Sequence, residues 1–385
     1  MTTYTGSPDT IAVYVHWPYC ARICPYCDFN VVRDRGQAEQ AALVDAIIAD
    51  LYGQAALTGH RALGSIFFGG GTPSLMRSEW VAGVIAAARA LWPSEGEPEI
   101  SLEANPTDGE AGRFAALAEA GVARLSLGLQ SLDDAALKFL GRNHDAAEAR
   151  RAATLAARLF PRLSIDLIYA RPGQTPAAWA DELRAAVDLG AEHVSPYQLT
   201  IEPGTAFDHA VGRGLFSPPD EDQAAALYET TQQVLADAGF DAYEVSNHAR
   251  GAAARSRHNL AYWTGQDYLG VGPGAHGRLT LAGGRVATEA ARRVGDYIAR
   301  VRETGVGFAA PETLAARDVA LERLLMGLRI DQGAPWAALA ALGLSPRSPA
   351  VLDLTARGLV IAGPTHLAAT RAGRAVLDGI IRVLA

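Results

Sequence analysis

Three cysteines, the only ones among 385 residues, stand together in Cys20-Ala-Arg-Ile-Cys24-Pro-Tyr-Cys27. Thiolates are the usual protein ligands of iron–sulfur clusters, and three of them on a four-iron cubane leave one iron without a protein ligand. That iron can chelate an amino acid through its amine and carboxylate. Two other readings remain open on the residues alone. The thiols can be small packed hydrophobes, which the neighbouring Arg22 and Pro25 suit badly, or they can hold a tetrahedral zinc with His16 as the fourth ligand. A disulfide framework does not fit an odd, tightly spaced set.

The cysteines need a scaffold. Short runs rich in β-branched and aromatic residues, 11–17, 65–68, 99–103, 124–129, 163–168 and 193–200, alternate with Ala-rich segments of helical period at 38–57, 80–91, 146–159 and 177–189. Strand and helix in alternation imply βαβ units and a parallel sheet. Six such units predict an open, partial TIM-like α/β barrel, short of eightfold closure. In parallel α/β sheets ligands collect beyond the C-terminal strand ends. Here those ends carry Gly69-Gly70-Gly71-Thr72, then Glu103 and Asn105, then Gln130, while Asp166 sits late in the fifth strand. The glycines let backbone approach a ligand closely.

CxxxCxxC after the first strand, followed by GGGTPS after the second, resembles the radical S-adenosylmethionine superfamily. The resemblance implies a [4Fe–4S] cluster on Cys20, Cys24 and Cys27, with S-adenosylmethionine on the open iron and its amine against Gly70, Gly71 and Thr72. Further motifs resemble one branch, which holds the oxygen-independent coproporphyrinogen III oxidases and the HemW-type heme chaperones. Tyr14 and Tyr26 match its aromatic contacts to the ligand. Glu103 in Glu-Ala-Asn-Pro, Gln130 in Gly-Leu-Gln-Ser, Arg142 in Leu-Gly-Arg-Asn-His and Asp166 in Ile-Asp-Leu-Ile-Tyr match its polar contacts. Carboxylates suit ribose hydroxyls, and a guanidinium suits the methionyl carboxylate.

Within that branch the oxidases carry a fourth cysteine two residues beyond the third, where this chain has Phe29. They also have a long extension before the first strand, where this chain has ten residues. Both differences resemble the HemW type, as do Glu244-Val-Ser-Asn-His-Ala and Gly270-Val-Gly-Pro-Gly-Ala-His-Gly. His258-Asn-Leu-Ala-Tyr-Trp263 matches the HNxxYW pattern tied to heme handling there, which makes His258 a candidate heme-iron ligand flanked by Tyr262 and Trp263. His16, His144 and His276 are expected to be structural or near the cluster. The implied function is a heme chaperone that binds cluster, S-adenosylmethionine and heme, without oxidase activity. Its implied partners are heme or porphyrin, recipient hemoproteins and an electron donor for the cluster. The alternative within the branch is the oxidase itself, which decarboxylates coproporphyrinogen III to protoporphyrinogen IX.

The remaining composition excludes other classes. Net charge is −8 and the 34 basic residues are scattered, so no basic stripe marks a nucleic-acid binder. No uninterrupted apolar run reaches ~18 residues, so no membrane span is expected, although peripheral membrane association stays open. The start, MTTYTGSPDT, has neither basic residues nor an apolar stretch, and a cytoplasmic location is expected. Residues 1–10 read as a lead-in, 11–280 as the barrel and its extension with a loop-like 269–277, and 281–310 as a connecting helical region. Residues 311–385, short helices and then a two-strand wing, read as a small α+β winged-helix-like domain.

Overall fold

A computed structural model describes residues 9–34 and 36–385; the predicted lead-in lies mostly outside them. The strands of the main sheet are β1 (Thr10–Trp17), β2 (Ala62–Gly70), β3 (Glu99–Ala104), β4 (Arg124–Gln130), β5 (Arg162–Tyr169), β6 (His193–Gln198), β7 (Asp241–Glu244), β8 (Asn247–Ala249), β9 (Asp267–Val271), β10 (His276–Leu281), β11 (Gly284–Glu289) and β12 (Glu312–Thr313). They run in the order β12-β11-β10-β9-β1-β2-β3-β4-β5-β6-β8-β7. From β1 to β6 each strand is parallel to the next, with helices between. The partial barrel is therefore as expected. It gains a seventh parallel strand that periodicity did not reveal: β9 pairs with β1 on its other side, Tyr14 opposite Gly270.

That strand corrects the loop-like reading of 269–277. Residues 267–271 are extended, and only the glycine-rich turn before His276 is loop. Gly270 is held to glycine by packing, because a Cβ there would lie 2.3 Å from the His276 carbonyl. The segment 281–310 likewise holds β11, antiparallel to β10, before its helix Val294–Thr304. The barrel sheet thus continues past residue 280.

Local signals account for the helices. Asp145 and Glu148 form a reciprocal capping box at the start of Ala146–Leu159. Ala149, Ala152, Ala153 and Ala156 then give that helix a narrow buried face. Thr175 caps Pro176–Val187, with Pro176 in the first turn. The helix Gln37–Thr58 has the length and composition to cross a membrane, but it packs on the sheet. Its Leu43, Ile47 and Leu51 are buried there. Its buried Asp50 accepts from the Tyr297 hydroxyl at 2.8 Å, and Gln54 donates to the Gly270 carbonyl at 3.0 Å.

The C-terminal region builds a second core around Leu324, Leu328, Leu339, Leu354 and Leu367. A three-stranded sheet of Ala334–Pro335, His366–Ala369 and Val360–Ala362 completes it. The two-strand wing is present, and one further short strand extends it.

Candidate functional site

Side chains alternate across each barrel strand, and the parity decides what reaches the interior. On β4, Leu125, Leu127 and Leu129 pack into the large hydrophobic core, while Arg124, Ser126, Gly128 and Gln130 line a cavity of about 520 Å³. On β5 the same cavity receives Asp166 and Ile168; on β3, Glu103; on β6, Ser195 and Tyr197. The candidate cluster, ligand and heme contacts Tyr14, Cys20, Cys24, Tyr26, Cys27, Gly70, Gly71, Thr72, Glu103, Gln130, Arg142, Asp166 and His258 all line it, whereas His16, His144, His276 and Trp263 do not.

The cysteine loop is pinned at both ends. Tyr19–Cys20 pairs in parallel with Val32–Arg33, and the Cys27 amide donates to the Cys24 carbonyl at 3.2 Å. Pro25 seats against Gly141, whose φ of 68° and missing Cβ admit the ring; a Cβ there would stand 2.6 Å from Pro25 Cδ. Cys20 is buried and the other two thiols are half-buried, and none forms a disulfide. Burial pushes the Cys20 thiol up and that of Cys27 up to about 11. A thiolate here calls for a cation, which iron supplies.

A hydrogen-bonded chain ties the loop to the strand ends. Thr72 Oγ1 donates to Cys20 Sγ at 3.6 Å, and Asn105 Nδ2 donates to Thr72 Oγ1 at 3.2 Å. Arg142 donates to the side-chain oxygen of Asn105, to Cys24 Sγ at 3.3 Å, to the Tyr26 hydroxyl at 3.4 Å and to the Gly128 carbonyl at 3.1 Å. Buried Glu110 accepts from the Asn105 amide at 2.9 Å and from the Ser74 hydroxyl, fixing the turn. Arg142 therefore stands against the cluster loop as well as the cavity. A cation beside a ligating sulfur favours the thiolate.

The glycine run performs two tasks. Gly71 lets its strand end pass under the cysteine loop, since a Cβ would meet the Tyr19 and Trp17 carbonyls at 2.7 and 2.8 Å. Gly70, at φ 106°, faces the His16 ring, and its amide donates to Glu103 Oε2 at 3.2 Å.

Glu103 and Asp166 form the acidic wall. Burial, and then the Asp166 carboxylate, push Glu103 up to about 8. Asp166 is raised by burial although Ser126 and Ser164 donate to it at 2.9 and 3.4 Å. The pair shares buried Arg124, which the sequence did not mark, because an arginine at a strand start reads as a surface charge.

The site also stores strain and unmet polarity. Gln130 adopts φ 63° at a bulge between β4 and β5, and Ala170, just past β5, adopts φ 60°. Left-handed backbone at non-glycine residues costs about 1–3 kcal/mol each and clusters at functional sites. Gln130 Oε1 and Arg142 Nε are buried without partners. A ligand that donates and accepts at these positions would satisfy them. Three thiols, a close-approach glycine turn, a buried carboxylate pair and two orphaned polar atoms in one cavity fit the cluster with its amino-acid ligand.

The histidines divide. His16 Nδ1 accepts from the Tyr14 hydroxyl at 3.0 Å and Nε2 meets the Asn30 carbonyl at 2.9 Å, so neither nitrogen is free for a zinc beside the cysteines. Among the described residues no three His, Cys, Asp or Glu converge on a single-ion site. His258 is 1% exposed, with Nδ1 on the Ser65 hydroxyl at 2.9 Å and Nε2 on the Tyr262 hydroxyl at 2.7 Å. Burial drops it to about 3. Its expected part as a heme ligand finds no free nitrogen in this arrangement; it stacks on Phe67 and orders the cavity floor. His144 is half tied, through Nε2 to the Leu129 carbonyl at 3.1 Å. His276 is exposed.

Residues 14–186 match the Radical SAM superfamily and residues 314–376 match the HemN C-terminal domain. Radical S-adenosyl methionine domain-containing protein 1, mitochondrial, of Bos taurus is 40% identical over 98% of this chain and 89% of its own length. Heme chaperone HemW of Mycobacterium tuberculosis is 36% identical over 98% of this chain and 95% of its own. The chain belongs to the HemW-type branch of the radical SAM superfamily. Heme chaperone HemW of Escherichia coli is 40% identical over 72% of each chain. The structure of coproporphyrinogen III oxidase from Escherichia coli superposes with a TM-score of 0.80 at 21% identity, covering 99% of this chain and 91% of that one. This chain and the oxidase therefore share a fold, and the cysteine triplet with its strand-end residues falls inside the matched Radical SAM segment.

Proposed function

We propose that this chain is a heme chaperone that binds a [4Fe–4S] cluster, S-adenosylmethionine and heme, and delivers heme to hemoproteins. The observation that carries the cofactor half is the convergence of Cys20, Cys24 and Cys27 with Glu103, Gln130, Arg142 and Asp166 in one cavity. The chaperone half is supported by full-length similarity to relatives named HemW, whereas likeness to the oxidase at 21% identity speaks for the fold alone. Phe29, 61% exposed beside the cysteine loop, stands where the oxidases carry their fourth cysteine.

Each residue has a task. The three thiolates hold the cluster, and Arg142 screens the Cys24 sulfur. Gly70 and Gly71 bring backbone to the ligand's amine, and Glu103 with Asp166 accept from its hydroxyls. Tyr14 and Tyr26 give it aromatic contact. When bound, the reduced cluster supplies electrons for reductive chemistry on the sulfonium. An electron donor must reach the cluster, and the loop face with Ile23 and Phe29 exposed is its entry. We place the chain in a reducing, cytoplasm-like compartment, where three free thiols and such a cluster persist. An exposed hydrophobic loop also suits peripheral contact with membranes that house recipient hemoproteins.

Anaerobically reconstituted protein tests the proposal. Serine at any of the three cysteine positions is expected to abolish most cluster iron. Stable heme uptake and transfer to an apo-hemoprotein, with no decarboxylation of coproporphyrinogen III, is the expected outcome. Formation of protoporphyrinogen IX would establish the oxidase reading instead.

A further inference from the structure

A second cavity, of about 620 Å³, opens between β10 and β11 on one side and the helix Ala316–Gly327 of the C-terminal region on the other. It joins the first, because Tyr14, Gly70, Glu103 and Tyr262 line both. Its volume lies in the range of small-molecule and cofactor sites. Beyond that shared wall, the residues lining it have no task in the cluster site.

Its walls combine aromatic area with cationic charge. Tyr262 and Tyr268 meet edge to face with ring centroids 4.3 Å apart, beside Trp263, with Met326 also in the wall. Four arginines line it, 278, 285, 292 and 323, in a chain whose net charge is −8. Glu103, Glu289 and Glu322 share the lining, but only two of the four arginines, 278 and 285, are in ion pairs among the described residues. Glu322 holds Arg278 at 2.8 Å, while Asp267 is shared by Arg285 at 2.9 Å and Arg61 at 2.7 Å. Arg323 has no ion pair among the described residues; it donates to the Trp263 carbonyl at 3.2 Å. It lies so closely over Gly265 that a Cβ there would stand 2.1 Å from Nη1. Burial and the neighbouring Arg285 bring it down to about 10, still cationic at neutral pH. A part-buried cation without a counter-ion selects an anionic ligand.

His276 opens β10 at the edge of the same cavity. It is exposed, and its ring makes no hydrogen bond among the described residues, unlike the fully tied ring of His258. An aromatic slot, an imidazole without a hydrogen bond and two arginines without a carboxylate partner among the described residues, Arg292 and Arg323, match a flat iron tetrapyrrole bearing two carboxylates.

We infer that this second cavity is the heme seat, where His276 would offer its imidazole nitrogen to the iron and Arg323, aided by Arg292, would hold the propionates. The inference rests on the heme-chaperone reading and gives it a location outside the HNxxYW histidine. The aromatic series Tyr14, Phe67, His258, Tyr262 and Tyr268 then lies between the cluster cavity and the heme.

Cluster-loaded full-length protein titrated anaerobically with hemin, and separately with its dimethyl ester, tests the assignment through the Soret band. His276→Ala is expected to lose the imidazole-type spectrum, while His258→Gln keeps it. Arg323→Gln is expected to weaken hemin roughly tenfold or more and the uncharged ester little, with Arg323→Lys recovering part of the loss. His276→Gln serves should the alanine variant fail to fold by circular dichroism. An imidazole spectrum retained in both His276 variants, or equal loss of hemin and ester in Arg323→Gln, would overturn the seat and leave the chaperone reading standing. No hemin uptake by the unaltered protein would remove both.

Discussion

Tyr262 and His258 are joined by a hydrogen bond of 2.7 Å between the tyrosine hydroxyl and Nε2, and their rings meet at 79° with centroids 4.8 Å apart. They sit one helical turn apart in Arg257–Trp263. With Ser65 on Nδ1, the imidazole is consumed by the floor of the cavity.

His258→Ala is therefore expected to act on stability first. It leaves the buried Ser65 hydroxyl and the part-buried Tyr262 hydroxyl short of a partner, at a cost of about 1–3 kcal/mol. Chemical denaturation of the variant measures the loss. A variant as stable as the parent would show that the ring is not structural.

The Glu103 carboxyl gives ligand binding a pH dependence. Its pKa in the ligand-free protein is raised to about 8, by burial first and Asp166 second, against ~4.3 unfolded. The folded state therefore holds the extra proton, and this group's contribution to stability is full below about pH 4 and is lost as pH rises through about 8. A ligand whose hydroxyls need the carboxylate releases that proton. Affinity for S-adenosylmethionine should rise with pH up to about 8, and Glu103→Gln should flatten the rise. Calorimetry in buffers of different ionisation enthalpy counts the proton.

Arg142 stands 3.3 Å from Cys24 Sγ, so replacing it by Met removes a cation from the cluster's edge. The cluster potential should fall, since local charge and hydrogen bonds to sulfur set it, with Arg142→Lys in between. A redox titration followed by electron paramagnetic resonance reads the shift. An unchanged potential would place Arg142 outside the cluster's field.

Gly71→Ala drives a methyl against the backbone carbonyls of Tyr19 and Trp17, which cannot swing aside. A cost of about 1–3 kcal/mol is expected, together with reduced cluster retention, because the cysteine loop must move. Thermal unfolding and iron content check the two effects separately. Gly96→Ala, with nothing near its Cβ, is the neutral control.

Much of this was legible in the linear chain. Cysteine spacing is local, and a loop of eight residues brings its thiols together whatever the rest of the chain does. Strand periodicity and glycine placement are local too, so the barrel strands β1 to β6 and the residues at their ends could be read directly. The strand β9 could not, because Asp267–Val271 is short, contains Gly270, and owes its extended form to pairing with β1 some 250 residues earlier.

Tertiary structure alone decided the roles of the charged and ring-bearing side chains. His258 and His276 look alike as letters, yet one has both nitrogens bonded inside the core and the other stands free at a cavity edge. Nothing in the sequence marks Arg124 or Arg323; long-range contacts bury the first near Glu103 and Asp166 and leave the second without a carboxylate among the described residues. Hydrogen-bond partners and burial come from chain segments far apart in sequence, so identity and spacing fix which chemistry is available, and packing fixes which residue is free to perform it.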